Sequence, residues 1–326
     1  MPQSEPVSVT TLTVATLDQL RRNLPPLAFD PGTDPDSDTL AGAAEYLRHY
    51  HIERASLAPG VRHHMGRVTT NGYRIAAHYW LHPTPRGTVF VVHGYFDHVG
   101  LYGHLIRHLL ARELNVVAFD LPGHGLSDGE RVTIASFDHY TEVLGGILAR
   151  ARATALPAPW HGVGQSTGGA ILIKYLLDGE HPRPLERIAL LAPLVHPRHW
   201  GLNRLVYLAS HRWRKAIDRK FMINSGDPAF LDFVQRHDPL QERHIPLEWI
   251  GAMKHWAEAL HRMPPSPHPV TLVQGDADTT LDWRYNLRLL GKKLPNLHLH
   301  LLPGAQHHLV NEAEAIRTQV FAALAF

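Results

Sequence analysis

From residue 88 onward the chain alternates short apolar runs with longer stretches of helical periodicity. The runs at 88–92, 116–119, 160–164, 187–191, 270–274 and 297–302 read as strands, and 102–112, 136–153 and 167–177 as helices between them. Strands separated by helices predict a parallel sheet covered on both faces. Upstream, 61–70 and 73–82 flank Asn71-Gly72, the strongest short hairpin signal, and add antiparallel strands at one edge. The expected fold class is therefore α/β, with a mostly parallel eight-stranded sheet flanked by helices. Leu40, Ala44, Leu47 and Tyr50 carry helical spacing over 39–55. Residues 30–36 read Asp-Pro-Gly-Thr-Asp-Pro-Asp, a turn-forming stretch, so 1–37 reads as an arm or linker. Between 193 and 269 the alternation gives way to a helical, Trp-rich segment too long for an ordinary loop. The expected organisation is an N-terminal arm and helix at 1–60, a core from 61–193 and 269–326, and a helical lid over 194–268.

Size and composition narrow the function classes. A chain of 326 residues with 44% apolar content can bury a large core. A net charge of +2 supplies no chain-wide field for gathering a polyanion, so no nucleic-acid partner is expected. The absence of cysteine removes disulfides, thiolate nucleophiles and Cys-ligated zinc together. No basic region followed by an apolar run opens the chain, and no run of about 18 apolar residues occurs, so the expectation is a cytoplasmic protein. The 26 histidines raise a metal site as a question. His-Gly-Tyr-Phe-Asp-His at 93–98 has Tyr95 where a second ligand is needed, and His104 and His108 share a helix face without an evident third ligand. No metal site is expected.

Gly164-Gln165-Ser166-Thr167-Gly168 matches Gly-x-Ser-x-Gly, and its setting makes the match specific: it follows a predicted strand and opens a predicted helix. Ser166 would stand on the strained turn as a nucleophile; the alternative is a serine that only caps the helix. A serine hydroxyl needs a base within hydrogen-bond reach, and histidine suits that task. In a strand–elbow–helix hydrolase the triad runs Ser, acid, His along the chain. His307, on the loop after the last strand, is the favoured base and His308 the alternative. Asp278 and Asp276 both follow the preceding strand; Asp278 is favoured to orient the imidazole, with Asp276 serving loop amides. The Tyr95 and Thr167 amides are the expected oxyanion donors. His93, Gly94 and Gln165 border them as candidate substrate contacts. Two-step acyl transfer through Ser166 would require no metal or organic cofactor.

In these residues and their order, the chain resembles the monoglyceride lipase and lysophospholipase branch of the α/β-hydrolases. The resemblance runs from about residue 60 to the C-terminus. It rests on His93-Gly94-x-x-Asp97-His98, the segment Asp120-Leu-Pro-Gly-His-Gly-Leu-Ser-Asp-Gly129, the elbow at Ser166, Asp238-Pro239-Leu240, Gly275-x-x-Asp278 and Gly304-Ala305-x-His307. It implies an α/β-hydrolase fold and a serine ester hydrolase acting on a long single-chain acyl ester, a lysophospholipid or monoacylglycerol, under a mobile lid; its Gly-x-x-Asp pattern supports Asp278. Gln165, Thr167 and Tyr95 depart from the residues common in that branch. Residues 196–222 hold seven basic side chains (Arg198, Arg204, Arg212, Arg214, Lys215, Arg219 and Lys220) against the single acid Asp218. Trp200, Leu202, Leu205, Tyr207, Leu208 and Trp213 are interleaved among them. Such a basic, amphipathic lid suits peripheral contact with anionic lipid or a phosphate-bearing substrate, or is a solvated face over an apolar one. The competing readings are a noncatalytic ligand-binding protein on the same fold and a short-chain carboxylesterase.

Overall fold

The computed structural model describes residues 12–326 except 54–56, 58, 155, 180, 183, 211 and 212, and the backbone alone at 202, 203, 206 and 210. In chain order the strands are β1 (Arg62–Thr70), β2 (Tyr73–Leu81), β3 (Thr88–Val92), β4 (Asn115–Phe119), β5 (Trp160–Gln165) and β6 (Leu185–Leu191). A short pair follows, β7 (Ala216–Asp218) and β8 (His244–Pro246), then β9 (Val270–Gly275) and β10 (Leu297–Leu302). One eight-stranded sheet has the order β1–β2–β4–β3–β5–β6–β9–β10, and β7–β8 stands apart. β1 and β2 pair antiparallel across Asn71 and Gly72, both at positive φ, as a two-residue hairpin turn demands. β2 meets β4 antiparallel, and every pairing from β4 to β10 is parallel. The eight-stranded, mostly parallel sheet expected from the apolar runs is present.

Alternation along the strands divides the core into two layers. On β3, Phe90 and Val92 enter one layer while Val89 and Val91 enter the other. The first layer receives α4 (Phe137–Ala153), α5 (Thr167–Leu177), α8 (Leu247–Arg262) and α9 (Trp283–Lys293). The second receives α1 (Val14–Asn23), α2 (Ala43–His49), α3 (Gly103–Leu110) and α10 (Glu314–Ala322). Each fully buried large aliphatic side chain contributes about 1.5–3 kcal/mol, so both faces of the sheet are strongly held.

Two expectations near the N-terminus are corrected. The helix predicted over 39–55 is only α2, because Gly42 takes a left-handed conformation (φ 82°) and starts the helix afresh at Ala43; a single 3-10 turn covers 37–39. Positions 54 and 55 of that expectation lie outside the described residues. Residues 12–37 are not a free linker: α1 buries Leu17 and Leu20, and Phe29 is buried in the first layer. The Asp-rich turn is organised by Asp34, whose carboxylate accepts from the Ala28 and Asp30 amides and the Tyr79 hydroxyl.

Between β6 and β9 lie α6 (Trp200–Ser210), β7, α7 (Pro228–Asp232), β8 and α8. The last of these belongs to the core. Its Trp249, Met253, Trp256 and Leu260 recur at helical spacing and pack in the first layer. The Trp256 indole donates to the Leu194 carbonyl at 3.0 Å and its ring lies parallel to that of Phe137. Arg212 and the side chain of Leu202, both counted in the basic amphipathic stretch, lie outside the described residues.

Candidate active site

The strand–turn–helix around Ser166 brings the chain to a strained conformation. Ser166 has φ 52° and ψ −110°, outside the regions a side chain ordinarily favours, at a cost on the order of 1–3 kcal/mol. Packing on both sides holds it there. Its amide donates to the Leu191 carbonyl at 2.8 Å, and its carbonyl accepts from Ala170 and Leu194. The flanking glycines are required by close approach: a Cβ on Gly168 would stand 2.0 Å from the Val92 carbonyl oxygen, and one on Gly164 would stand 2.5 Å from Gly168.

β9 and β10 are neighbours, so the loops leaving them meet beside the end of β5. His307 Nε2 lies 3.0 Å from Ser166 Oγ, and His307 Nδ1 lies 2.8 Å from Asp278 Oδ2. The other carboxylate oxygen of Asp278 accepts the Thr280 and Leu281 amides at 2.8 and 3.0 Å, while Gln274 donates to Oδ2. Burial alone would raise the Asp278 pKa; the charge and hydrogen bond of His307, with the Leu281 and Gln274 donors, outweigh it and hold the carboxyl below its ordinary range. Asp278 is thus an anion whose lone pairs are all directed by neighbours.

The rival residues have other partners. Asp276 accepts the Gly304 amide at 2.7 Å and so braces the histidine loop, as expected. His308 Nε2 pairs with Asp97 Oδ1 at 3.0 Å, and Asp97 Oδ2 accepts from the Tyr102 hydroxyl and the Gly94 amide. Despite its burial, Asp97 is held far below the usual carboxylate range, chiefly by the charge and hydrogen bond of His308. His308 therefore ties the histidine loop to the loop that carries Tyr95.

Tyr95 and Thr167 both line the cavity with Ser166, and Thr167 opens α5, where amides lack intrahelical acceptors. Gly94 crosses directly beside the serine: a Cβ there would be 3.4 Å from Ser166 Cβ. The Tyr95 side chain turns away, donating to the Val132 carbonyl at 2.7 Å and stacking on Trp249 at 3.6 Å, so the bulky residue clamps its loop to α8. Gln165 lines the cavity, yet its amide nitrogen donates to the His307 carbonyl at 2.9 Å and braces the histidine loop. His93 is corrected: it does not line the cavity, its Nδ1 donates to the Gly94 carbonyl, and its Nε2 accepts the Leu121 amide. Burial pulls its pKa down and keeps the ring neutral, a main-chain fastener instead of a substrate contact.

A second buried pair escaped the reading of the sequence as a functional unit. His98 Nε2 and Asp238 Oδ2 are 3.0 Å apart and almost wholly inaccessible to solvent. Tyr50 donates to Asp238 Oδ1, and the Gln241 amide bridges Asp238 Oδ2 and the Phe96 carbonyl. Burial lowers the His98 pKa, but the Asp238 charge and hydrogen bond reverse the shift and raise it; the same pairing lowers the Asp238 pKa against its own burial. The pair therefore adds stability from above the ordinary carboxylate range up to the raised His98 value, and loses it as pH falls through the lowered Asp238 pKa or rises through that of His98. The sequence signal was the spacing Asp97-His98 and Asp238-Pro239-Leu240, noted without a partner for either.

These groups open into a cavity of about 380 Å³. Leu194, Trp200, Ile250, Met253 and Leu281 supply apolar wall, and Asp97, Gln165, Arg219, Lys220, Asn224 and Gln241 are polar residues of the lining. Among the described residues no cluster of three or more His, Asp or Glu could hold a metal ion.

A parallel sheet that delivers a serine on a strained turn, with an acid and a histidine following later strands, is the arrangement of the α/β-hydrolases. The chain belongs to that class, and within it to the family described as serine aminopeptidase, S33, whose model matches residues 83–314. It falls in the monoglyceride lipase-like branch and is a hydrolytic enzyme. It is 32% identical to the monoglyceride lipase of Rattus norvegicus over 267 residues, 78% of this chain and 86% of that one. With the monoacylglycerol lipase of Mycolicibacterium smegmatis it shares 28% identity over 256 residues, 74% of this chain and 89% of the relative. Its fold matches the crystal structure of a soluble variant of Saccharomyces cerevisiae monoglyceride lipase with a substrate analogue. The TM-score is 0.68 at 20% identity, over 78% of this chain and 91% of that one.

Proposed function

We propose that the protein hydrolyses a lipid-like single-chain acyl ester through an acyl-enzyme on Ser166. The observation that carries the reading is the continuous hydrogen-bonded line from Asp278 through His307 to Ser166 Oγ, ending in a largely apolar cavity. Similarity to glyceride lipases supports the lipid ester class. In the first step Ser166 Oγ attacks the ester carbonyl carbon while His307 Nε2 takes its proton, and Asp278 stabilises the imidazolium. The Tyr95 and Thr167 amides receive the oxyanion, each such donor being worth roughly 2.7–4 kcal/mol in the transition state. Collapse expels the alcohol, whose oxygen takes the proton from His307. Water then repeats the sequence and releases the acid, so every proton and electron pair is handled by the chain and the solvent alone.

Release of free fatty acid from a long-chain 1-monoacylglycerol, compared with turnover of p-nitrophenyl acetate, tests this reading. The expected kcat/KM is at least tenfold higher for the long-chain ester. A preference for acetate would point to a short-chain carboxylesterase, and binding without turnover to a noncatalytic protein.

The part of the inserted segment that precedes α8, read as a lid over the cavity, carries an exposed face suited to a lipid surface; α8 itself packs in the core instead of belonging to a lid over 194–268. Leu205, Trp213 and Ile223 are 65%, 86% and 69% exposed, among exposed Arg204, Arg214, Lys215 and Lys220. No helix among the described residues is long and apolar enough to cross a membrane. Peripheral adsorption to anionic lipid follows from such a surface, each basic residue near the interface contributing about 1 kcal/mol. Co-sedimentation with phosphatidylglycerol vesicles that weakens as salt is raised is expected; equal binding to phosphatidylcholine vesicles would contradict the electrostatic part.

A further inference from the structure

Arg219 is set apart from the other basic residues of the inserted segment. Its backbone is anchored next to the β7–β8 pair, the Arg219 amide donating to the Arg243 carbonyl at 2.8 Å, and its side chain is directed into the cavity that contains Ser166. There the guanidinium lies over the Phe96 ring at 3.8 Å and the Phe221 ring at 4.4 Å. Nη1 donates to Gln241 Oε1 at 2.7 Å and to the Glu242 carbonyl at 3.1 Å. Among the described residues no carboxylate forms an ion pair with it. The acids nearest to hand are engaged elsewhere: Asp97 with His308, Asp238 with His98, and Glu242 with Arg131.

Burying a charge is unfavourable unless it is paired and hydrogen-bonded. Burial pulls the Arg219 pKa down to about 10, which still leaves the group charged at neutral pH. Two aromatic faces offset part of the desolvation, and Gln241 satisfies one nitrogen. Nε and Nη2 retain N–H donors in the fork geometry that suits phosphate. Lys220, although exposed, is also among the residues lining this cavity and adds a second cation at its surface. Leu194, Trp200, Ile250, Met253 and Leu281 supply apolar wall suited to an acyl chain, beside the polar Asp97, Gln165 and Asn224.

We propose that Arg219, with Lys220, forms an anion subsite that receives a phosphate carried by the alcohol part of the ester, so that the preferred substrate is a single-chain acyl ester of a phosphorylated glycerol. The proposal rests on the ester-hydrolase reading above and names the substrate class within it. Arg219 is a specificity residue here: it holds the ground state and the transition state alike through the head group, so its removal is felt mainly in KM.

The test compares a 1-acylglycerol 3-phosphate with the 1-acylglycerol of the same acyl chain. Wild-type enzyme is expected to favour the phosphorylated ester in kcat/KM, and Arg219→Gln to lower the ratio of the two by at least tenfold, chiefly through KM. Arg219→Lys, which keeps the charge without the fork, is expected to fall between, and Lys220→Gln to lower the ratio about threefold. Glycerol 3-phosphate should compete with the phosphorylated ester in wild type and compete less in Arg219→Gln, which separates a head-group subsite from a surface effect of charged aggregates. A ratio unchanged within twofold in Arg219→Gln overturns the subsite while leaving the esterase reading standing. Failure of wild type to turn over either ester overturns both. If Arg219→Gln does not fold, the Arg219→Lys and Lys220→Gln ratios decide, and two unchanged ratios reject the proposal.

Discussion

Replacing Ser166 by alanine is expected to lower ester turnover by at least about 10⁴-fold while the protein stays folded. The substitution deletes one hydroxyl whose partner is His307 Nε2 at 3.0 Å. Alanine inherits the same φ of 52° and the same backbone bonds to Leu191, Ala170 and Leu194, so the elbow has no added reason to collapse. Loss of one hydrogen bond costs about 1 kcal/mol of stability, a shift of only a few degrees in Tm for a domain of this size. The chemical step, by contrast, would lose the proposed nucleophile. Fatty-acid release and thermal melting of the same preparation distinguish the two quantities. A variant that turns over esters within tenfold of wild type would place the nucleophile elsewhere.

Asp278→Asn is expected to lower kcat by roughly 10⁴-fold, through the tautomer of His307. Oδ1 of Asp278 is fixed by the Thr280 and Leu281 amides, both donors, so the asparagine oxygen will occupy that position. Its NH₂ group then faces His307 Nδ1, which must become an acceptor. The ring proton moves to Nε2, and Nε2 can no longer receive the proton of Ser166. The same NH₂ also faces the Gln274 amide nitrogen, which now donates to Oδ2, so Gln274 must turn or lose its partner. KM should change little, because Asp278 does not line the cavity. Steady-state kinetics checks this, and an equal loss in kcat with a large rise in KM would indicate a distorted site instead.

The elbow could be read in the sequence because its determinants are local: an apolar strand, two glycines around Ser166 and a helical repeat lie within one short segment. The parallel sheet was legible for a similar reason, each strand being a compact apolar run. What escaped depends on distant pairing. His307 and His308 are neighbours, and they are told apart by Asp97, 211 positions away, which takes His308. His93 resembled a substrate contact until its two ring nitrogens were found on main-chain groups of Gly94 and Leu121. Arg219 was one member of a basic run, and only the pairing of 216–218 with 244–246 turns it inward while Arg214 and Lys215 stay exposed. In 12–37 the turn-forming residues masked Leu17, Leu20 and Phe29, whose burial comes from a sheet face that local periodicity does not reveal.

An alkyl fluorophosphonate, which reacts with an activated serine hydroxyl, offers the most direct examination of the hydrogen-bonded line from Asp278 to Ser166. After incubation with wild type, peptide mass spectrometry is expected to find one stoichiometric adduct, on the peptide containing Ser166, and to find it reduced to background in His307→Ala. An adduct on a different residue, or undiminished labelling of Ser166 in His307→Ala, would contradict the account.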